Sequence, residues 1–294
     1  MTKQGGCLQP LPLNFSHDFL PERSLLARLL PFASTTGCGD KVKIGAETGI
    51  PTGESSGKVE PMIHYASGMG LIRADKEAKH WKLELTTLGR LINAEDPYLS
   101  ESVTLWLLHL MLCRRSALED PATGLADAWF ALFAEGALRL GNRFDQDAYL
   151  DFLIERHGKK GYLKGLSGLV LRSYLELTCF GSINALTAEV LDGQTLYLRN
   201  AAPTERSHFP AYSAYLFLVW DDLYAGHSQL AIDDLFTQSR CLAVMGWDRA
   251  TATRWLDWMA DHGLLQLDRQ TGGTLALRLR DTKTVIAGIF NELV

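Results

Sequence analysis

The chain has little of what would assign it a chemistry at sight. Its five cysteines, Cys7, Cys38, Cys113, Cys179 and Cys241, are odd in number and never stand in CxxC spacing. That argues against a zinc ribbon or a disulfide framework, and reduced, mostly buried thiols are expected. Apolar runs such as TLWLLHLMLC from Thr104 are about half of the roughly 20 residues a bilayer-spanning helix needs. The opening MTKQGGCLQPLP has no apolar core of a signal peptide. A cytoplasmic protein without membrane contact is therefore expected. Basic excess is missing too. The formal net charge is -5, so any nucleic-acid contact must come from a local patch.

Nucleotide and nuclease motifs are also absent. GESSGK, Gly53 to Lys58, is one residue short of a phosphate loop and follows no predicted strand, and no GxGxxG opens a helix. Metal-assisted cleavage needs converging carboxylates. The candidates are His17 with Asp18 and Glu22, the trio Asp145, Asp147 and Asp151, and the pairs Asp221–Asp222 and Asp233–Asp234. Each is read more simply as a cap, a first-turn acid or a surface acid. No cofactor and no metal site are expected, a divalent ion entering only if the protein nicks DNA. Catalytic residues stay unknown.

What is present is ordinary globular material, 47% hydrophobic and 21% charged, enough for real cores. The pattern predicts a mainly α fold with a winged helix-turn-helix near the N-terminus, a helical middle and a second winged-helix-like unit at the C-terminus. The expected divisions are a flexible arm over 1–20, then 21–95, 96–209 and 210–294. A leucine-rich helix runs from Arg23 to Phe32, ending near Pro31. Ile44–Thr48 is a short helix stopped by Gly49, and Gly53–Gly57 is a polar turn. A second helix starts between Lys58 and Pro61 and ends at Gly70. Its Met62, Ile63, Ala66 and Met69 face the core, leaving His64, Tyr65 and Ser67 outside. Strands over Leu71–Ala74 and Trp81–Leu85 flank a charged tip, Asp75–His80, and Thr86 caps the next helix.

The same grammar returns later. A helix is expected over Gln229–Ser239, then a turn near Gly246 and a helix from the Asp248 cap to His262. Gly263, a strand over Leu264–Asp268, a Gly272-Gly273 turn and a strand over Thr274–Leu279 follow. GMGLIRADKEAKHWKLEL and DHGLLQLDRQTGGTLALRL share this plan, a weak internal repeat. Between them, helices are expected over Ser100–Arg115, Leu125–Leu140, Asp145–Arg156 with Asp145 as cap, Gly165–Phe180 and Pro210–Tyr224. A strand is expected over Thr195–Arg199.

DPYLSESVTLWLLHLML, Asp96 to Leu112, follows LTTLGRLI. This block resembles an SspB-like bacterial family whose members read roughly DPYLxDxxTLWLLHWQL after an N-terminal winged helix. The family is associated with DNA phosphorothioation and phage defence. The match covers about Phe15 to Arg115 and is sharpest at Asp96–Leu99 and Thr104–His109. Near the start, FSHDFLPERSLLARLL departs from the family's His-Glu-Thr-Phe and Arg-x-Gly-Trp-Leu-Lys-Lys segments, keeping only His17 and Phe19. The resemblance implies a DNA-binding component of a phosphorothioation or defence system, with nicking proposed for the family. It also implies duplex DNA and other defence proteins as partners, and a second copy of the chain is a further expected one. A winged-helix interaction scaffold and a transcription regulator stay open as alternatives.

Helix-turn-helix units lay their second helix in the major groove, and contacts to phosphate fix the register. The first unit offers Lys58, His64, Tyr65, Arg73, Lys76, Lys79, His80 and Lys82, interleaved with Glu60, Asp75, Glu77 and Glu84. RHGKKGYLKG adds Arg156, Lys159, Lys160 and Lys164 around Tyr162, either a phosphate patch or an exposed interhelical loop. The last unit would present Arg249, Thr251, Arg254, Asp257, Trp258 and Asp261, where two acids repel phosphate and protein contact is expected. His109, three residues from Trp106 on an apolar helix, is expected to be a hydrogen-bonded core histidine.

Overall fold

Leu25, Leu26, Leu29 and Leu30 form one buried stripe of α1 (Arg23–Ser34). The helix runs through Pro31 instead of ending there. A proline this close to the end forfeits one backbone bond and leaves only a turn to disturb. The computed structural model describes residues 8–53, 57–270 and 273–293. Met1–Cys7 of the expected arm, 54–56 of the polar turn and Gly272 of the second hairpin turn lie outside them. The described part of the arm does not hang loose: Leu11 N–H donates to Leu125 O, and Phe15 is buried.

The first unit follows. It comprises β1 (Gly37–Gly39), α2 (Lys41–Thr48), α3 (Val59–Gly68), β2 (Ile72–Glu77), β3 (His80–Leu85) and α4 (Thr87–Glu95). Asp40 caps α2 by accepting from Lys43 N–H, and Gly49 closes it in the left-handed conformation. The hairpin turn is tighter than expected. The ladder runs to Glu77 opposite His80, so most of the predicted tip is strand.

α5 (Ser102–Leu112) is next. Then α6 (Asp127–Phe130) passes through a π-helical turn, Ala131–Glu135, into α7 (Gly136–Arg139). The single helix predicted over Leu125–Leu140 thus has a widened middle. A second unit stands where the sequence pattern predicts only helices and one strand. It is β4 (Arg143–Phe144), α8 (Gln146–His157), α9 (Leu163–Arg172), β5 (Leu186–Leu191) and β6 (Gln194–Arg199). α9 stops at Arg172, well short of the predicted Phe180.

α10 (Phe209–Leu223) leads to a third unit. It contains β7 (Gln229–Ala231), α11 (Ile232–Ser239), α12 (Cys241–Met245), α13 (Arg249–Asp261), β8 (Leu265–Gln270), β9 (Gly273–Arg278) and α14 (Thr282–Ala287). Gln229–Ala231, the predicted start of a helix, is instead extended. It pairs with Leu275–Leu277, a partner distant in sequence. Trp258, expected outside, is 8% exposed and packs against Phe209 and His262.

Helices dominate, and each of the three sheets is small and antiparallel. All three share one order: the strand ahead of the helices pairs with the last strand, which pairs with the middle one. Buried apolar side chains form one continuous core from Phe15 to Ile289, with Trp106, Trp129, Trp220 and Trp255 at its largest fillings. Among the described residues no helix is long and apolar enough to cross a membrane.

Candidate nucleic-acid interface

The β2–β3 ribbon shows what alternation does to a charged sequence. Trp81, Leu83 and Leu85 point to the core, and Lys82 and His80 point out. Across the ladder Arg73 stands opposite Glu84, Asp75 opposite Lys82, and Glu77 opposite His80. On the outer face Arg73 and Lys82 are therefore each opposed by an acid. Lys82 Nζ also lies 2.7 Å from Glu84 of its own strand. That contact raises the lysine's pKa and lowers the carboxylate's.

Lys76 has the parity of the inner face. It lies 4.7 Å from the Trp81 ring centroid and 2.7 Å from Glu60 Oε1. The Lys76 bond, opposed by burial and helped by Trp81 N–H, holds Glu60 below its ordinary range. Lys58 is held by Glu22 at 2.5 Å. Among the described cations of this unit, Lys79 at the turn is exposed and makes no ion pair.

α3 corrects the expectation for its outer side. Seven of its ten residues are buried. Tyr65 is 0% exposed, and its hydroxyl donates to Phe19 O at 3.1 Å. His64 is half-buried, edge-on to Phe15 and Trp81, and burial lowers its pKa. Periodicity assumes one buried face. The segment Leu11–Glu22 covers a second one: Phe15 sits 4.9 Å from the Tyr65 ring and 5.6 Å from Trp129. Tyr65 therefore cannot touch a ligand in this conformation.

The second patch divides. Arg156 is not a surface cation. Its Nε lies 2.5 Å from Asp127 Oδ2, its Nη1 2.7 Å from Glu135 Oε2, and its Nη2 also donates to Ala122 O. The π turn brings Glu135 to this cluster, and nothing in the local sequence signals it. His157 Nε2 approaches Asp127 Oδ2 to 2.9 Å without hydrogen-bond geometry. Lys159, Lys160 and Lys164 are exposed and absent from every ion pair, and Lys160 lies 6.0 Å from the Tyr162 ring. Arg172, not anticipated from sequence, is exposed two turns after Lys164 on α9.

Four of the acidic candidates are engaged elsewhere. Asp145 caps α8 by accepting from Ala148 N–H. Asp221 binds Arg278 and Thr282, Asp222 lies 3.1 Å from Arg114, and Asp233 pairs with Arg249. Among the described residues no group of three or more His, Cys, Asp or Glu is placed to hold a metal ion.

The DPYL block is a seat for α5. Asp96, 3% exposed, accepts from Ser100 N–H and Oγ–H and from Glu101 N–H, at 2.9 to 3.0 Å. Leu99 is fully buried at φ 53°, while Tyr98 stays 79% exposed. His109 shares a 2.7 Å hydrogen bond with Tyr174, as expected of a core histidine.

No protein-family model matches the chain, and no curated protein matches it. Among solved structures, a magnesium ion-bound SspB crystal structure is similar, with a TM-score of 0.71 and 15% identity. A second SspB crystal structure has a TM-score of 0.67 and 16% identity. Each alignment covers 95% of this chain and 87% of the other. The likeness inferred from the DPYL block therefore holds as one of architecture: the chain has an SspB-like fold along nearly its whole length.

Proposed function

We propose that the chain is a duplex-DNA-binding component of a DNA phosphorothioation and phage-defence system, built on winged-helix units. The observation that carries this is the SspB-like fold over 95% of the chain. The plan of each unit, a strand, two or three helices and a hairpin, supports it, since that plan presents a helix and a ribbon side by side. Lys159, Lys160 and Lys164, exposed and unpaired, supply cations for phosphate. The magnesium ion belongs to the SspB crystal, and the role proposed for this chain is binding.

Fluorescence anisotropy of a short labelled duplex, titrated at low and moderate salt, tests the proposal. Binding whose log Kd rises linearly with log salt is expected. No binding to any duplex at low salt would remove it. Relaxation of supercoiled plasmid with Mg²⁺ or Mn²⁺ would add a nicking role.

Burial of α3 and the balanced charges of the β2–β3 ribbon favour a second reading, in which the first unit binds protein. Co-purification with a partner, free of nucleic acid and abolished by ribbon substitution, would select it.

A further inference from the structure

The three units can be compared position by position, because their strand orders match. What differs is the helix that precedes the hairpin in each. In the first unit α3 has no fully exposed residue. In the third, α13 carries Arg249 paired with Asp233 and Asp257 paired with Arg269, and its other two charges, Arg254 and Asp261, are of opposite sign. In the middle unit that helix is α9, and no acidic residue occurs from His157 to Leu175.

Lys164, Gly165, Gly168 and Arg172 fall on one side of α9 at helical spacing, with Lys159 and Lys160 just ahead of its first turn. The four cations are exposed, and none takes part in an ion pair. The opposite side, Leu163, Leu166, Leu169 and Val170, is buried. Gly165 has nothing near it but Asp18, whose Oδ1 lies 3.9 Å from where a Cβ would stand. The Gln146 side chain lies over Gly168, 3.0 Å from where a Cβ would stand, so the open point between the cations is Gly165, where another backbone can come close.

We propose that this face of α9, Lys159–Lys160–Lys164–Arg172, is the surface that meets the phosphate backbone of the duplex, and that the middle unit rather than the first makes the principal contact. The proposal rests on the DNA-binding role above and names the surface that performs it. Cations with no carboxylate to compensate them release counterions on meeting phosphate, whereas the paired cations of the β2–β3 ribbon must first give up Glu60 or Glu84. Asp18, at the border of the face, weakens the attraction.

The test is duplex binding by the full chain, followed by anisotropy across a salt series. Changing Lys159, Lys160, Lys164 and Arg172 together to Gln is expected to weaken binding by tenfold or more, and to flatten the log–log salt slope by roughly 0.9 for each phosphate no longer neutralised. Gly165→Glu places a carboxylate in the middle of the face while improving helix propensity. It is expected to weaken binding with a melting temperature no lower than that of the parent, which separates a damaged binding face from a damaged fold. Asp18→Asn is expected to tighten binding. Wild-type affinity and slope in the quadruple variant would overturn the proposal. If binding instead disappears in a variant with Arg73, Lys79 and Lys82 changed to Gln, the DNA role stands and the ribbon carries it. If the parent chain binds no duplex, both fall.

Discussion

The guanidinium of Arg156 meets Asp127 through two contacts, Nε to Oδ2 at 2.5 Å and Nη2 to Oδ1 at 2.8 Å. Both side chains are nearly buried, and the pair ties the end of α8 to the start of α6. A buried pair broken on one side leaves an uncompensated charge, which typically costs 3 to 5 kcal/mol, here about 4. Arg156→Ala is expected to show a loss of that order in urea unfolding, and Arg156→Met with Asp127→Asn a smaller one. A single-variant loss below about 1 kcal/mol would mean the pair behaves as a surface ion pair.

Acid titration reads the same site. Burial pushes the Asp127 carboxyl up, but His157, Arg156 and the Gly124 N–H outweigh it and hold the group at about 2. A depressed carboxylate contributes stability above its unfolded pKa of roughly 3.9, lost as pH falls towards 2. The contribution is roughly 2 to 3 kcal/mol at neutral pH. Unfolding free energy should fall between about pH 4 and 2, and Asp127→Asn should remove that part of the fall.

His109 acts at higher pH. Complete burial lowers its pKa to about 3, so it is neutral in the folded chain and shares its proton network with Tyr174. The unfolded chain takes up a proton near pH 6.5, so stability is full above that value and declines as pH falls to about 3. From pH 7 to pH 5 the expected loss is about 2 kcal/mol. His109→Phe should flatten this limb, while costing about 1 to 3 kcal/mol at pH 7 for the stranded Tyr174 hydroxyl. An unchanged slope in the variant would show that His109 is not the group responsible.

Gly89 packs the α4 start onto the first residue after the turn that ends α3. A Cβ there would stand 1.9 Å from the Leu71 carbonyl oxygen, a backbone atom that cannot swing away. The same turn is capped by Thr86, which accepts from Gly89 N–H and donates to Gly70 O. Gly89→Ala is expected to cost more than Thr86→Ala, whose missing cap is worth about 1 kcal/mol. Thermal melts of the two variants check the order.

Much of this was legible locally. Thr86, Asp145 and Asp248, read as caps from the sequence, each accept from a residue three positions on, a pattern that needs only a few neighbouring residues; Asp40 and Asp281 do the same without having been singled out. The β2–β3 ribbon was visible in Trp81, Leu83 and Leu85 alternating with charges. The candidate interface was half legible. Lys159, Lys160 and Lys164 are cations in any context, but whether a cation is free depends on which acid folds beside it. Lys58, Lys76 and Lys82 each have one, and Arg156 has two.

By itself the sequence determined most of the helices, the caps Thr86, Asp145 and Asp248, the two ribbons with clear alternation and the likeness carried by Asp96–His109, because short-range bonds and side-chain period decide these. Only the tertiary structure decided that Tyr65 is sealed under Phe15, that Gln229–Ala231 is a strand and that the middle of the chain holds a unit of its own. Those outcomes depend on partners far away in the chain. A β4 strand of two residues pairing across to Tyr197 and Leu198 leaves no periodicity to detect, and a surface becomes charged only where no distant carboxylate arrives to neutralise it.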